Sequence, residues 1–352
     1  MKKRELSALE LGIMAKELQL LKGARLQKLF QQGKKEFLFH FHVPNEGKRL
    51  LKIVFPTYIF FTDTKPPQAE PPMFCQRLRK LLAGCWIRSI AQHGFERILI
   101  LELEAKEKLT MILELFGTGN LIILKDKKIE MVLEKRMWKD REITRGAEYK
   151  FPESVDLRSM DSKTFSETIS RAGDSIVKFL ATRFFLGGIF AEELCLRAGV
   201  DKNAKSLTAE EKQTLFQELG NLLAERPAPY ETQEGEIAPF KMKLHEGKET
   251  NPLPSLSAAV EILSKMHEAP KKTAQDMERE KLERIKEEQL KQFKALEQSI
   301  EENTQKGQAV FENYALMKEA LDTMKNNKTP NKRLSRFIKS HDKKSKTLTL
   351  EP

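Results

Sequence analysis

Glu36-Phe37-Leu38-Phe39-His40-Phe41-His42, then Pro44-Asn45-Glu46-Gly47, then Leu50-Leu51-Lys52-Ile53-Val54-Phe55 is the stretch from which the fold can be read. Two runs rich in aromatic and β-branched residues flank four residues with turn chemistry, so the stretch predicts a β-hairpin. More strands follow it: Trp86 to Ile90, Ile98 to Leu103 and Leu109 to Leu115. A second hairpin, Asn120 to Leu124 and Lys128 to Leu133, turns at Asp126-Lys127. Before the hairpin, Leu6, Leu9, Ile13, Leu18 and Leu21 recur near helical spacing, with Gly23 as the stop and a strand after it. Pro66-Pro67 and Pro71-Pro72 open a loop, and Phe74 to Leu82 reads as a basic helix. Strands that cluster, without crossover helices between them, make residues 1–155 an α+β domain.

The pattern then changes. Residues 156–226 carry helices at Phe165–Ala172, Ile176–Phe185, Ile189–Ala198 and Ala209–Ala224, the last with N-caps on offer at Ser206 and Thr208. Leu186-Gly187-Gly188-Ile189 lies between the middle two. A helix-hairpin-helix needs such a turn, with backbone amides at the next helix start that can meet a phosphate. On the glycines alone an ordinary helix corner explains the segment as well. Residues 227–272 are punctuated by prolines and predict one short strand, Phe240 to Leu244.

From residue 273 to 324, Glu, Lys, Gln and Arg dominate. Phe293, Leu296, Ile300, Asn303, Gly307, Val310, Tyr314, Met317, Leu321 and Met324 alternate steps of three and four. That alternation marks a helix built to pack along a coiled-coil seam. Such a helix, roughly 75 Å long at 1.5 Å per residue, needs a second arm or a second chain to cover its seam. The tail, residues 325–352, holds nine basic residues and one acidic one between Lys325 and Lys346. It reads as a segment without structure of its own, drawn to phosphate backbones or simply solvated.

Charge narrows the partner. Lys plus Arg exceed Asp plus Glu by 62 to 51, a net charge of +11, which favours polyanions. No run of about 18 apolar residues is present, so no transmembrane partner or span is expected and a cytoplasmic setting is. Cys75, Cys85 and Cys195 form no CxxC pair and read as ordinary thiols. His40 and His42 share a strand face but lack a third metal ligand, so no metal and no cofactor is expected. Phosphate-loop, zinc-protease, serine-hydrolase and zinc-deaminase patterns are missing too, and Gly117-Thr118-Gly119-Asn120 is the turn of a hairpin. The expectation is a binding protein, not an enzyme. In Gln92-His93-Gly94-Phe95-Glu96-Arg97 an acid stands beside a guanidinium between two strands. Such a pair can hold a ribose hydroxyl and a phosphate, or form a surface ion pair.

Several stretches, in order, resemble the NFACT family, the RqcH-type ribosome-associated quality-control factors also described as fibronectin-binding-A-like proteins. They are Glu17-Leu18 with Gly23 to Phe30, Gln92 to Leu99, Phe116 to Leu124, Leu186 to Asn203, and Gln308 to Tyr314. The resemblance implies an N-terminal domain shaped like that of formamidopyrimidine-DNA glycosylases, a helix-hairpin-helix domain, and a two-armed coiled coil. It also implies a role: binding the large ribosomal subunit, its rRNA and a stalled peptidyl-tRNA, and recruiting tRNA for mRNA-independent C-terminal alanine tailing. The ribosome performs the transfer. Glu10 and Glu96 stand where the family has Asp, and Arg97 is kept. Implied tRNA contacts are Glu10, Glu96 and Arg97, with Arg77, Arg79, Lys80 and Arg88 as basic neighbours. Gly187, Gly188, Lys202, Lys332, Arg333 and Arg336 are candidates for further phosphate contacts. The family's second arm and RNA-binding domain lie beyond Pro352, which implies a fragment, half of a split protein or a shortened paralogue. Two rival readings are a DNA-lesion glycosylase and a coiled-coil adaptor with no RNA role. The first lacks its Pro-Glu N-terminus here, having Lys2-Lys3.

Overall fold

The computed structural model describes residues 4–64, 70–138, 141–152, 155–173, 175–267, 274–326, 332, 334–342 and 347–350. They fall into two compact units, 1–269 and 270–352. In the first, helix α1 (Ala8–Glu17) leads through a 3-10 turn to strands β1 (Arg25–Gln32), β2 (Glu36–Val43), β3 (Gly47–Val54) and β4 (Tyr58–Phe61). Helix α2 (Met73–Leu82) separates these from β5 (Trp86–Gln92), β6 (Ile98–Glu104), β7 (Lys108–Glu114), β8 (Asn120–Lys125) and β9 (Lys128–Val132). The nine strands make one antiparallel sheet in the order β4-β3-β2-β1-β5-β6-β7-β8-β9. The hairpin with which the sequence analysis begins is β2 and β3, in register from Glu36 opposite Val54 to Val43 opposite Gly47.

The halves of the sheet join at one register pair, Arg25 with Trp86, and fold over each other there. Phe39, Phe41, Leu51 and Ile53 from one half line a common apolar space with Leu101, Leu103, Met111 and Leu113 from the other. Strand alternation places every second residue inward, and each such Leu, Ile or Phe contributes about 1.5–3 kcal/mol when fully buried. The opposite phase is also used. Ile98, Ile112, Ile122, Leu124 and Ile129 form a second cluster on the outer face, closed by Ile143 and Tyr149. Those two belong to a small cap, the hairpin β10 (Arg136–Met137) and β11 (Glu142–Ile143) with the segment that follows it. Asp126 and Lys127 between β8 and β9 both have positive φ, 48° and 65°, as a two-residue turn of this twist requires.

Helices α3 (Ser162–Ile169), α4 (Ile176–Arg183), α5 (Gly187–Ala198) and α6 (Ala209–Ala224) pack on one another. Thr208 and Glu211 cap α6 reciprocally. Strands β12 (Tyr230–Thr232), β13 (Ile237–Ala238) and β14 (Thr250–Pro252) form a separate small sheet, and helix α7 (Leu256–His267) returns to β4 and α1. The Glu17 carboxylate accepts the Leu256 and Ser257 amides at the start of α7, where the helix dipole favours an anion. The expected strand at Phe240 to Leu244 does not form. Phe240 and Met242 are buried and Lys243–His245 is a 3-10 turn, so side chains spaced by two reached a core without any strand pairing.

The second unit holds α8 (Ala274–Glu312), α9 (Tyr314–Lys325), and strands β15 (Ile338–Asp342) and β16 (Thr347–Leu350). The helix expected to run unbroken to residue 324 is interrupted at Asn313, whose backbone leaves the helical region at φ −103° and ψ 16°. Asn bonds its own neighbourhood, and the Asn313 side chain donates to the Ala309 carbonyl. The tail expected to be unstructured carries the antiparallel β15–β16 hairpin. Its Thr347-Leu348-Thr349-Leu350 alternation has the β propensity for it.

Candidate functional site

The turn between β5 and β6 is built by backbone bonds from His93 N–H to the Ile98 carbonyl (3.0 Å) and from Glu96 N–H to the His93 carbonyl (3.1 Å). Gln92 fixes it to α1, its amide donating to the Ala8 carbonyl at 2.7 Å and the Glu96 carbonyl at 2.8 Å. Arg97 leaves this turn as a clamp. One guanidinium nitrogen pairs with Glu5 at 2.7 Å and another donates to the Pro56 carbonyl at 3.0 Å. Its Nε is shielded from solvent and has no acceptor in the protein. The side chain is 18% exposed.

Adjacent Glu96 points the other way and is buried, 6% exposed. Burial pushes its carboxyl up to about 7, with the Arg97 backbone N–H opposing the rise. A Glu96–Arg97 surface ion pair is therefore not what the turn contains.

Glu10, 3% exposed, completes a reciprocal cap on α1. Ser7 N–H donates to its carboxylate at 2.9 Å, while Glu10 N–H donates to the Ser7 hydroxyl at 3.2 Å. Arg4 pairs with the same carboxylate and donates to the Ile237 carbonyl. Tyr58, its phenol pushed up to about 12 by burial, donates to the Arg4 carbonyl. Gly187 opens α5 with φ +76°, and a Cβ there would sit 3.5 Å from Ser7 Cβ. The start of α5 thus faces the cap of α1. Glu5 with Arg97, Ser7 with Glu10, and the first turn of α5 converge on the N-terminal segment. Gly188 and Ile189 are exposed at the last of these, where first-turn amides suit an anion.

The remaining candidates are not drawn to this place. Arg77 and Lys80 are exposed on α2. Arg79 donates to the Leu29 carbonyl at 2.6 Å and lies over the Phe30 ring. Arg88 pairs with Glu104 at 2.6 Å on the open face of β5 and β6. Lys202 pairs with Glu192. Lys332 and Arg336 are exposed in the second unit, and Arg333 lies outside the described residues.

A second polar-aromatic assembly escaped sequence reasoning. Glu114, at the end of β7 and 1% exposed, is held by Arg141 and by the Tyr149 hydroxyl at 2.9 Å. The Arg141 guanidinium lies 4.9 Å from the Tyr149 centroid and 5.8 Å from that of Trp138. Phe151 meets Tyr149 edge-on and stacks on His93 at 3.8 Å. The available signal was Arg136-Met137-Trp138, a tryptophan among basic residues in a segment too short for any periodicity.

Among the described residues no group of three or more His, Cys, Asp or Glu is placed to hold a metal ion, and no helix is long and apolar enough to cross a membrane. The three cysteines are buried free thiols.

The family model for NFACT N-terminal and middle domains matches residues 8–352. A protein described as "Archaeal Rqc2 homolog aRqcH" from Methanocaldococcus jannaschii is 29% identical over 350 residues, covering 92% of this chain and 52% of that protein. "Rqc2 homolog RqcH" from Bacillus subtilis is 28% identical over 149 residues, covering 38% of this chain and 26% of its own length. "Ribosome quality control complex subunit 2" from Saccharomyces cerevisiae is 31% identical over 137 residues, 38% of this chain and 13% of that protein. The chain thus spans about half of the archaeal relative and smaller shares of the others. Among solved structures, the fibrinogen binding protein from Staphylococcus aureus superposes with a TM-score of 0.60 at 23% identity, covering 75% of this chain and 99% of that one. The N-terminal part of the fibronectin/fibrinogen-binding protein from Streptococcus suis gives 0.61 at 21% identity, covering 74% and 100%. These two likenesses concern the mixed α/β fold with its large antiparallel sheet. A family model that accounts for residues 8–352 is decisive: the chain belongs to the NFACT family.

Proposed function

We propose that this chain is the N-terminal and middle part of a ribosome-associated quality-control factor. In this reading it binds the large ribosomal subunit bearing a stalled peptidyl-tRNA and recruits tRNA for mRNA-independent C-terminal tailing. The chemistry of peptide transfer is left to the ribosome, so the chain acts as a binding factor in the cytoplasm. Relatives whose names place them in ribosome quality control support the role.

The observation that carries the assignment of the site is Arg97. Its guanidinium is anchored by Glu5 and the Pro56 carbonyl, next to the N-terminal segment that the first turn of α5 also approaches at Ser7. The side chain keeps 18% exposure, and a guanidinium edge at that surface suits a phosphate or ribose oxygen. Glu10 and Glu96, both buried, support this reading as groups that shape the N-terminal segment and the turn, not as direct contacts. The seam on α8, with Phe293, Leu296 and Ile300 at 60%, 61% and 65% exposure, is suited to a second helical arm from the same protein or another chain.

The test is co-sedimentation with large subunits carrying peptidyl-tRNA, followed by recovery of tRNA. Arg97→Ala should reduce tRNA recovery at least tenfold, while Arg97→Lys, which keeps the charge but not the fork, should recover only part of it. Equal recovery by all three, with unchanged melting temperatures, defeats the assignment of Arg97. No sedimentation of the unaltered chain defeats the reading as a whole.

A further inference from the structure

We infer that the β10–β11 cap is a stacking site for an unpaired nucleobase of single-stranded RNA, with Trp138 as its platform. The inference rests on the RNA-binding reading above and adds a site to it. Trp138 is 48% exposed and neighbouring Met137, at the end of β10, is 77% exposed. The Trp138 backbone N–H donates to the Arg141 carbonyl at 2.9 Å, which fixes the backbone that carries the indole. Large side chains of this kind are usually folded under when a sheet face is available, and here Ile143 and Tyr149 of the same cap are. Trp138 is left out.

Its surroundings choose the occupant. Arg136 lies 5.7 Å and Arg141 5.8 Å from the indole centroid. Both guanidiniums have their edges engaged: Arg136 by Glu134 at 3.0 Å, Arg141 by buried Glu114 and by the Lys150 carbonyl at 2.7 Å. Both are thereby held over the indole ring, which is still about half exposed. Lys135, just before β10, and Lys150, in the segment after β11, are both exposed. A half-exposed indole packed with oriented guanidiniums, in a segment that also carries exposed lysines, matches a nucleobase attached to phosphate. A purely apolar protein surface would have to leave these charges desolvated at the centre of its interface. Stacking on one aromatic ring contributes about 1–3 kcal/mol per base and is tolerant of sequence. Duplex RNA, whose bases are hidden in the stack, is not a substrate for such a platform.

The sequence contains two tryptophans, so the full chain carrying Trp86→Phe reports on Trp138 alone. Titration with a decauridylate should quench that fluorescence, and a duplex RNA of equal length should not. Trp138→Ala should weaken decauridylate binding about tenfold, Trp138→Phe should restore most of it, and the salt dependence should stay as in the parent, because no phosphate contact is removed. Equal affinity of Trp138→Ala, or quenching by duplex as strong as by single strand, overturns the inference. So does a Trp138 that responds only to a co-purifying protein. If the chain recovers tRNA as proposed above while Trp138→Ala changes nothing, the stacking site fails and the quality-control reading stands. If the chain binds neither tRNA nor decauridylate, that reading fails with it.

Discussion

The two units of this chain treat apolar residues in opposite ways. In residues 4–267 nearly every inward position of nine strands is covered, and even charged groups such as Glu10, Glu96, Glu114 and Glu193 are taken inside. In residues 274–326 most of the described large apolar side chains of α8 and α9 face solvent. The first region is specified by its own packing. The second is a pair of helices whose apolar seam is left largely exposed. Proline, glycine and turn residues divide the first into short strands that must find each other, whereas the charged, breaker-poor stretch of the second makes a helix by local bonds alone.

That contrast can be broken most sharply at Arg141. Arg141→Ala strips the cation from a carboxylate that is 1% exposed and should cost about 3–5 kcal/mol in denaturant unfolding of the first unit. Gly119→Ala comes next. Its φ is +71°, and a Cβ would stand 2.6 Å from Phe55 Cβ and 3.0 Å from Pro56 Cα, which cannot yield as a side-chain tip can. The expected loss is about 3 kcal/mol. Glu96→Gln should act in the other direction. A carboxyl raised to about 7 in the fold holds its proton more tightly there than in the unfolded chain. Stability from this group is intact at low pH and is lost as pH rises from about 4.5 through 7. The variant should therefore match the parent near pH 4 and exceed it by about 2–3 kcal/mol at pH 8. Parallel pH curves for the two proteins would show that the Glu96 carboxyl is not responsible. The smallest change belongs to the second region. Leu296→Glu, on a side chain 61% exposed, should alter the melting of the isolated chain by less than about 0.5 kcal/mol, yet abolish association with whatever helix covers the seam.

The sequence displays the strands of the first unit because alternation was long and turns were chemically marked. Asp126-Lys127 and Pro44 to Gly47 are examples. It hid β4, only four residues long and two positions past Pro56, and α7, which follows a run of prolines that reads as loop. At Phe240 to Leu244, spacing by two misled because buried side chains on irregular backbone can have the same period. The candidate site was half legible. Gln92 to Arg97 was visible as an acid beside a guanidinium, and Ser7-x-x-Glu10 has the spacing of a capping box. What the sequence could not show is that Glu96 turns inward while Arg97 reaches Glu5 and Pro56, since those partners are decided by strand pairing over long separations. Trp138 was missed for the same reason: its neighbour Arg136 belongs to a two-residue strand, Arg141 lies just before another, and the site exists only because Glu114 on a third strand holds Arg141.

The bond from Arg4 to the Ile237 carbonyl has a consequence for how the molecule is made. The two residues are separated by 233 positions, so the start of the chain cannot be locked until almost the whole first unit has been synthesised. At about 5–20 residues per second, the N-terminal segment waits roughly 12–50 s without its anchor at Ile237. A nascent chain halted before Ile237 emerges would leave that segment open to chaperones and proteases, and premature stops on either side of this residue should differ sharply in half-life.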